Sequence, residues 1–375
     1  MRLKLLIALL KEVRMSNSLL TKVISNPHVF THLSIKEQEL VMRQAEGSDL
    51  LATLGWLFKR LDITENLKPT FPHSKYEAAI NVARAHSNFI QWEIGTLQEI
   101  FKNDNKPLIL LKGAAYTIAG LPNGLGRLYS DIDLLVHKAE LNESELLLKR
   151  ALWVDKSTDE YDQMYYRKWM HEIPPLTHVK RKSVLDVHHA ILPETCKHRP
   201  EPHKLFDEVV PVANMENVFV LSPTDMVLHS MTHLFYEGEF NHGLRDLFDL
   251  DMLIKHFSAK DAKFWPKLIA RGQELNLQRP LYYGIRYTKR ILNTPVPDEI
   301  ETLSMNSQPR LIFLMDRLFD KALMPNHPSC NNGLSGIAKW LLYVRSHYLR
   351  MPIRLLIPHL FRKAWKTHFS NQTAA

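Results

Sequence analysis

The chain has 375 residues and a mass of 43.7 kDa, enough for a substantial core and for two or three domains. Its 45% hydrophobic and 23% charged content is that of an ordinary globular protein, and two widely separated cysteines, Cys196 and Cys330, exclude a disulfide scaffold or a cysteine-based zinc knuckle and fit a reducing cytoplasm. The net charge of +8 belongs to the C-terminus alone, because eight basic residues and no acidic one follow Asp320, so a uniform nucleic-acid-binding surface is excluded.

The opening "MRLKLLIALLKEVRMS" has a basic start and a short apolar run but no small-residue cleavage site, which predicts one amphipathic helix rather than a secretory signal. No stretch is long and apolar enough for a membrane-spanning helix. Residues 34–61 read as helix, opened by Ser34 with Glu37 three residues on, a capping-box spacing. The prolines of "KPTFPHS" then break the chain. An apolar stripe of Ala79, Val82, Ala83, Phe89, Ile90, Ile94, Leu97 and Ile100 predicts a long helix from about Lys75 to Lys102.

The texture changes at Pro107. "PLILLKG" reads as a buried strand, "AAYTIAG" as a short helix, and "LPNGLGRLYS" as a turn-rich loop into a second strand, "DIDLLV". "LNESELLLKRALW" predicts an amphipathic helix capped near Asn142, and "EIPPLTHV" and "SVLDVHHAIL" two further strands joined by the basic turn "KRK". From Ser222 the patterns are helical again, punctuated by Pro266, Pro280, Pro295 and Pro297. The fold expected is α+β, a small mixed sheet flanked by helical regions, with boundaries at 1–74, 75–215 and 216–375.

Two aspartates open the strand "DIDLLV". Residues i and i+2 of a strand share a face, so Asp131 and Asp133 are neighbours and repel, and a positive group is expected between them. Asp186, set among Val184, Leu185, Val187 and Ile191, is a third carboxylate with no structural reason to sit mid-strand. Carboxylates are the ligands magnesium prefers, and two such ions clamp the attacking and leaving oxygens of a phosphoryl displacement. Upstream, "LLKGAA" ends a strand at Lys112-Gly113 and begins a helix, where Gly113 admits a close ligand and the helix N-terminus offers N–H groups to an anion.

In this combination the chain resembles the DNA polymerase beta-like nucleotidyltransferase superfamily, and within it an uncharacterised bacterial branch of stand-alone nucleotidyltransferases. The resemblance rests on Leu111-Lys112-Gly113, on Arg127 with Asp131 and Asp133, on His171 to Leu176, on Asp186-Val187-His188, and on a helical segment with His233 and Arg245 to Asp249, spanning roughly residues 75–255. One departure is Ala114, where the superfamily commonly has Gly or Ser, which removes a hydroxyl contact to phosphate. The resemblance implies a Mg²⁺- or Mn²⁺-dependent enzyme moving a nucleoside monophosphate from an NTP to a hydroxyl of a protein, an RNA or a small molecule. Asp131 and Asp133 would hold both metals, and Asp186 would hold the second and help deprotonate the acceptor. Lys112, Gly113, Ala114, Arg127 and Ser130 are the expected nucleotide-binding residues; Arg127 either pairs with a phosphate or balances the carboxylates, and Lys112 is read as a strand-end charge rather than a catalytic lysine.

Two other classes compete. A catalytically silent nucleotide-binding or scaffold protein of the same fold is disfavoured by retention of all three acids. A histidine-based metallohydrolase is suggested by 19 histidines and by His229 and His233 at helical i, i+4 spacing, but Ser230 stands where the HExxH glutamate would be, so packing is the preferred role. His171 and His188 are read as outer partners of the carboxylates. The aromatic and basic C-terminus, "WLLYVRSHYLRMPIRLLIPHLFRKAWKTHF", is read as Pro-broken helices packed on the domain, with weak contact to an anionic membrane or to RNA as the alternative.

Overall fold

A computed structural model describes residues 18–66, 73–155, 160–352 and 354. The expected N-terminal amphipathic helix and the part of the basic C-terminus beyond residue 354 lie outside the described residues. The described chain opens with helices α1 (Leu19–Ser25), α2 (Ile35–Glu46), α3 (Leu51–Arg60) and α4 (His73–Asn103). The capping box forms as expected: the Ser34 hydroxyl accepts from the Glu37 N–H, and the Glu37 carboxylate accepts from the Ser34 N–H at 2.9 Å. The single helix expected over 34–61 is two. The chain turns at Asp49, whose φ is +55°, and at Gly47, where a Cβ would stand 2.5 Å from the Asn326 carbonyl oxygen. The apolar period carries across this break, which is why periodicity alone does not reveal it.

A seven-stranded mixed sheet follows. In chain order its surroundings are β1 (Leu108–Leu111), α5 (Lys112–Ile118), β2 (Ile132–Leu135), α6 (Leu141–Arg150), β3 (Trp153–Asp155), α7 (Glu160–Trp169), β4 (Leu176–His178), β5 (Val184–His188), α8 (His203–Asp207), β6 (Val210–Pro211) and β7 (Val218–Val220). The spatial order is β3-β4-β5-β2-β1-β7-β6, with β1/β7 and β2/β5 parallel and the other neighbours antiparallel. Helix α6 starts at Leu141 without a side-chain cap, because a 3₁₀ turn over Lys138–Glu140 feeds it directly; the cap expected near Asn142 does not form. The sheet runs past residue 215: β7 pairs in parallel with β1, so a segment expected to be helical contributes a strand next to the β6 edge, and the expected boundary falls between β6 and β7.

Seven helices complete the described chain: α9 (Pro223–Tyr236), α10 (Gly243–Lys260), α11 (Phe264–Glu274), α12 (Gln278–Leu292), α13 (Asp298–Met305), α14 (Ile312–Ala322) and α15 (Gly333–Arg350). The class is α+β, as expected. One apolar core runs through sheet and helices alike, from Leu20 and Ile94 through Leu110, Leu134 and Val187 to Leu228, Tyr283 and Phe319. The "KRK" turn docks inward: Arg181 makes a bidentate ion pair with the fully buried Glu93 of α4, with Nη2–Oε1 and Nε–Oε2 both 2.8 Å. Two of the C-terminal arginines are likewise used internally, Arg345 donating to the Phe235 carbonyl and Arg350 to that of Glu237, each at 3.0 Å. Among the described residues no helix is long and apolar enough to cross a membrane.

Candidate active site

Strand register gathers the acids. In the parallel pair β2/β5, Asp133 lies opposite Asp186, and in the antiparallel pair β1/β2 it lies opposite Leu111, the residue before Lys112. Paired residues point to the same face of a sheet, so the Asp133 and Asp186 carboxylates share one face across a single strand spacing, about 4.8 Å. Asp131, two residues before Asp133, sits just ahead of β2.

The positive group expected between the aspartates does not bridge them: among the described residues, Lys112 pairs with Asp133 alone. Lys112 ends β1 and starts α5 with φ at +47°, a left-handed conformation that a non-glycine residue adopts at a cost of about 1–2 kcal/mol. The turn sends its ammonium to Asp133, Nζ–Oδ1 2.9 Å. The same oxygen meets His188 Nε2 at 2.9 Å. Burial opposes ionisation of Asp133, but Lys112 and His188 outweigh it and hold the carboxyl far below the ordinary range. Asp186 has the opposite fate. Burial, reinforced by the charges of Asp133 and Glu172 and by Asp131, pushes its carboxyl up to about 7, and its Oδ1 is buried with no hydrogen-bond partner. Among the described residues no hydrogen bond or ion pair holds Asp131.

Arg127 turns away from this group. It forms an ion pair with Asp249 of α10, both side chains nearly buried, and its guanidinium lies 5.6 Å from the centroid of the Tyr116 ring. Its partner is neither Asp131 nor Asp133, so the expected balancing of those carboxylates does not occur. Gly113 is explained by the same arginine, since a Cβ there would stand 2.6 Å from Arg127 Nε. The loop before Arg127 is fixed at Gly126, φ +74°, whose missing Cβ would stand 2.5 Å from the Thr53 backbone nitrogen.

A cavity of about 260 Å³ opens between sheet and helices, lined by Lys112, Gly113, Arg127, Ser130, Asp131 and Asp133 on one side and by His233, Glu237, Asn241, Arg245 and Asp249 on the other. Of the residues expected to contact nucleotide, Lys112, Gly113, Arg127 and Ser130 line it. Ala114 is 1% exposed and packs in the core. Asp186 is beside Asp133 in register but is not among the lining residues.

The histidines divide. His233 Nε2 meets Glu237 Oε2 at 2.9 Å, and His229 is buried, its imidazole pushed well below the ordinary range by that burial. These two do not form a metal-ligating group. His171, Glu172 and His188 do converge, their ligand atoms lying within 4.8 Å of one another. Glu237 and Asp249 both lie in the helical segment of the resemblance, but Glu237 is not singled out there and Asp249 carries no local sign of its partner.

A family model described as "Uncharacterised nucleotidyltransferase" matches residues 36–293. No curated protein matches. The crystal structure of JHP933 from Helicobacter pylori aligns with 16% sequence identity over 71% of this chain and 96% of its own, at a TM-score of 0.28, a likeness too loose to carry argument.

Proposed function

Because the chain belongs to the uncharacterised nucleotidyltransferase family, and is therefore an enzyme transferring a phosphorus-containing group from an NTP, we propose that it is a divalent-metal-dependent nucleotidyltransferase of the polymerase beta-like kind. The observation that supports this most directly is the Asp133–Asp186 register with Asp131 beside it. The donor set fits a hard divalent cation: three carboxylates, one with a buried, unpartnered oxygen and one free of any ion pair among the described residues. Asp131 and Asp133 would hold Mg²⁺ or Mn²⁺ with the triphosphate, and Asp186 the second ion. Bound there, the metal would neutralise charge on the triphosphate and acidify the acceptor hydroxyl.

The chain's own residues have separate tasks. Lys112 neutralises Asp133 and presents an ammonium to the cavity in which the triphosphate binds. Gly113 and Ser130 line the same cavity, and Arg127, held by Asp249, frames its wall. The acceptor oxygen attacks the α-phosphorus, the bond to the β-phosphate oxygen breaks, and pyrophosphate leaves. The acceptor proton passes to the Asp186 carboxylate, which lies opposite Asp133 in the strand register. The acceptor is a hydroxyl of a protein, an RNA or a small molecule.

The first test is calorimetric. NTP binding is expected to need Mg²⁺, and equal affinity in EDTA would count against the carboxylate site. Incubation with each labelled NTP, metal and lysate then looks for the acceptor. Asp131→Asn and Asp133→Asn are expected to weaken Mg-NTP binding itself. Asp186→Asn should leave that affinity within a few-fold while single-turnover transfer falls by at least about a hundredfold, the contribution typical of a general base. Wild-type transfer by Asp186→Asn would make that residue a buried structural acid.

A further inference from the structure

We propose that His171, Glu172 and His188 form a second metal site, distinct from the three aspartates, that takes a zinc-class divalent ion and fixes Asp133 through the His188 ring. The ligand atoms converge within 4.8 Å, and the backbone holds them there: Glu172 and His188 form an antiparallel bridge between the segment before β4 and the end of β5, the Ile173 N–H donates to the Val187 carbonyl at 3.1 Å, and the His189 N–H to that of His171 at 2.8 Å. Two imidazoles and one carboxylate are the donors zinc prefers, and three protein ligands leave a fourth position for water. The all-oxygen set of Asp131, Asp133 and Asp186 suits a harder ion, so the two sites differ in the metal they select.

His188 has the bond pattern of a metal-bound imidazole. Its Nε2 faces Asp133 at 2.9 Å, and its Nδ1 faces Glu172 Oε2 at 3.3 Å. As a neutral ring it donates Nε2–H to Asp133 and turns the Nδ1 lone pair toward the cluster, the carboxylate–histidine–metal arrangement that fixes both tautomer and ring orientation. His171 supplies an independent sign. It is 4% exposed, its Nδ1 is buried without a partner, and its ring centroid lies 5.4 Å from that of His188. An imidazolium at His188 pairing with Asp133 and Glu172 accounts for those two acids and makes no use of His171, whereas a shared cation draws on all three ligands.

The binding of the ion stands independently of the proposed function, whereas its effect on Asp133 rests on that reading. The test uses the full chain, stripped of metal with a chelator, given one equivalent of Zn²⁺ and freed of unbound ion by gel filtration. The expected result is about one zinc per chain, with X-ray absorption showing imidazole neighbours at about 2.0 Å. Asp131→Asn should retain the ion, while Glu172→Gln, which keeps the side chain's shape, should lose it. Substoichiometric zinc in the wild type, a spectrum without imidazole, retention by Glu172→Gln, or loss in Asp131→Asn would each overturn the site, and the wild-type spectrum decides the matter if a variant fails to fold. For positioning, the zinc-free chain should need about tenfold more Mg²⁺ for half-maximal NTP binding, reversed by Zn²⁺. Bound zinc with an unchanged Mg²⁺ requirement would overturn the link to Asp133, and absence of any NTP binding would strike the nucleotidyltransferase reading while leaving the zinc content intact.

Discussion

Asp186 is the residue whose environment makes the sharpest solution prediction. Its carboxyl is pushed up to about 7 in the folded chain from 3.8 ordinarily, because burial and neighbouring acids disfavour its charge. The folded state therefore holds a proton that the unfolded state has lost between those two values, and stability falls as pH rises through that window. The shift corresponds to as much as about 4 kcal/mol at pH 8. Without divalent metal, Asp186→Asn should melt higher than the wild type at pH 8, and the gap should close toward pH 4. Adding Mg²⁺ should raise the wild type toward the variant at pH 8. A gap independent of pH would mean that the carboxylate is not under strain. The three aspartates were legible from sequence as candidates, since charged residues in apolar strands stand out and Asp131 and Asp133 are two residues apart. The role of Lys112 was not: a strand-end lysine is ordinary in sequence, and only its left-handed backbone, φ +47°, aims the ammonium at Asp133.

Among the elements, α5, the loop to β2, and α10 are tied together by Arg127 and Asp249. Side chains of both are about 10% exposed, so removing one leaves the other charged and nearly dry. Asp249→Leu is expected to cost about 3–5 kcal/mol, read from the urea midpoint, and adding Arg127→Met should restore much of the loss, because an apolar pair of similar volume avoids the desolvation cost. A double variant no more stable than the single one would show that the pair is held for something other than charge compensation. The long helix α4, strands β1 and β2 and the β4–β5 hairpin follow from period and from turn residues. Others do not: β7 is three residues long, Val218–Val220, too short for any period to mark it. The break between α2 and α3 sits on the turn residues Gly47 and Asp49, which the unbroken apolar period masks, and the partner of Arg127 is 122 residues along the chain. A contact at such a separation has no local trace.

For the whole molecule, the continuous core makes the helical C-terminal part a support of the sheet rather than an appendage. Helix α15 buries Ala338 and Leu342, and Gly238, φ +81°, leaves room for Ser346, where a Cβ would stand 2.3 Å from its hydroxyl oxygen. Deleting residues 333–375 is therefore expected to lower the melting temperature and solubility of the remainder. An unchanged melting profile would show that α15 contributes little to the core. The parallel pairing of β1 with β7 carries a consequence for the nascent chain. Leu108–Leu111 are all buried, yet the strand that covers one edge of them is translated about a hundred residues later, some 5–20 s at ordinary synthesis rates of about 5–20 residues per second. Through that interval an apolar strand with unpaired N–H and C=O groups is open on the ribosome, a template for wrong pairing. The order of synthesis makes this edge the place where a chaperone, or an aggregate, would first take hold.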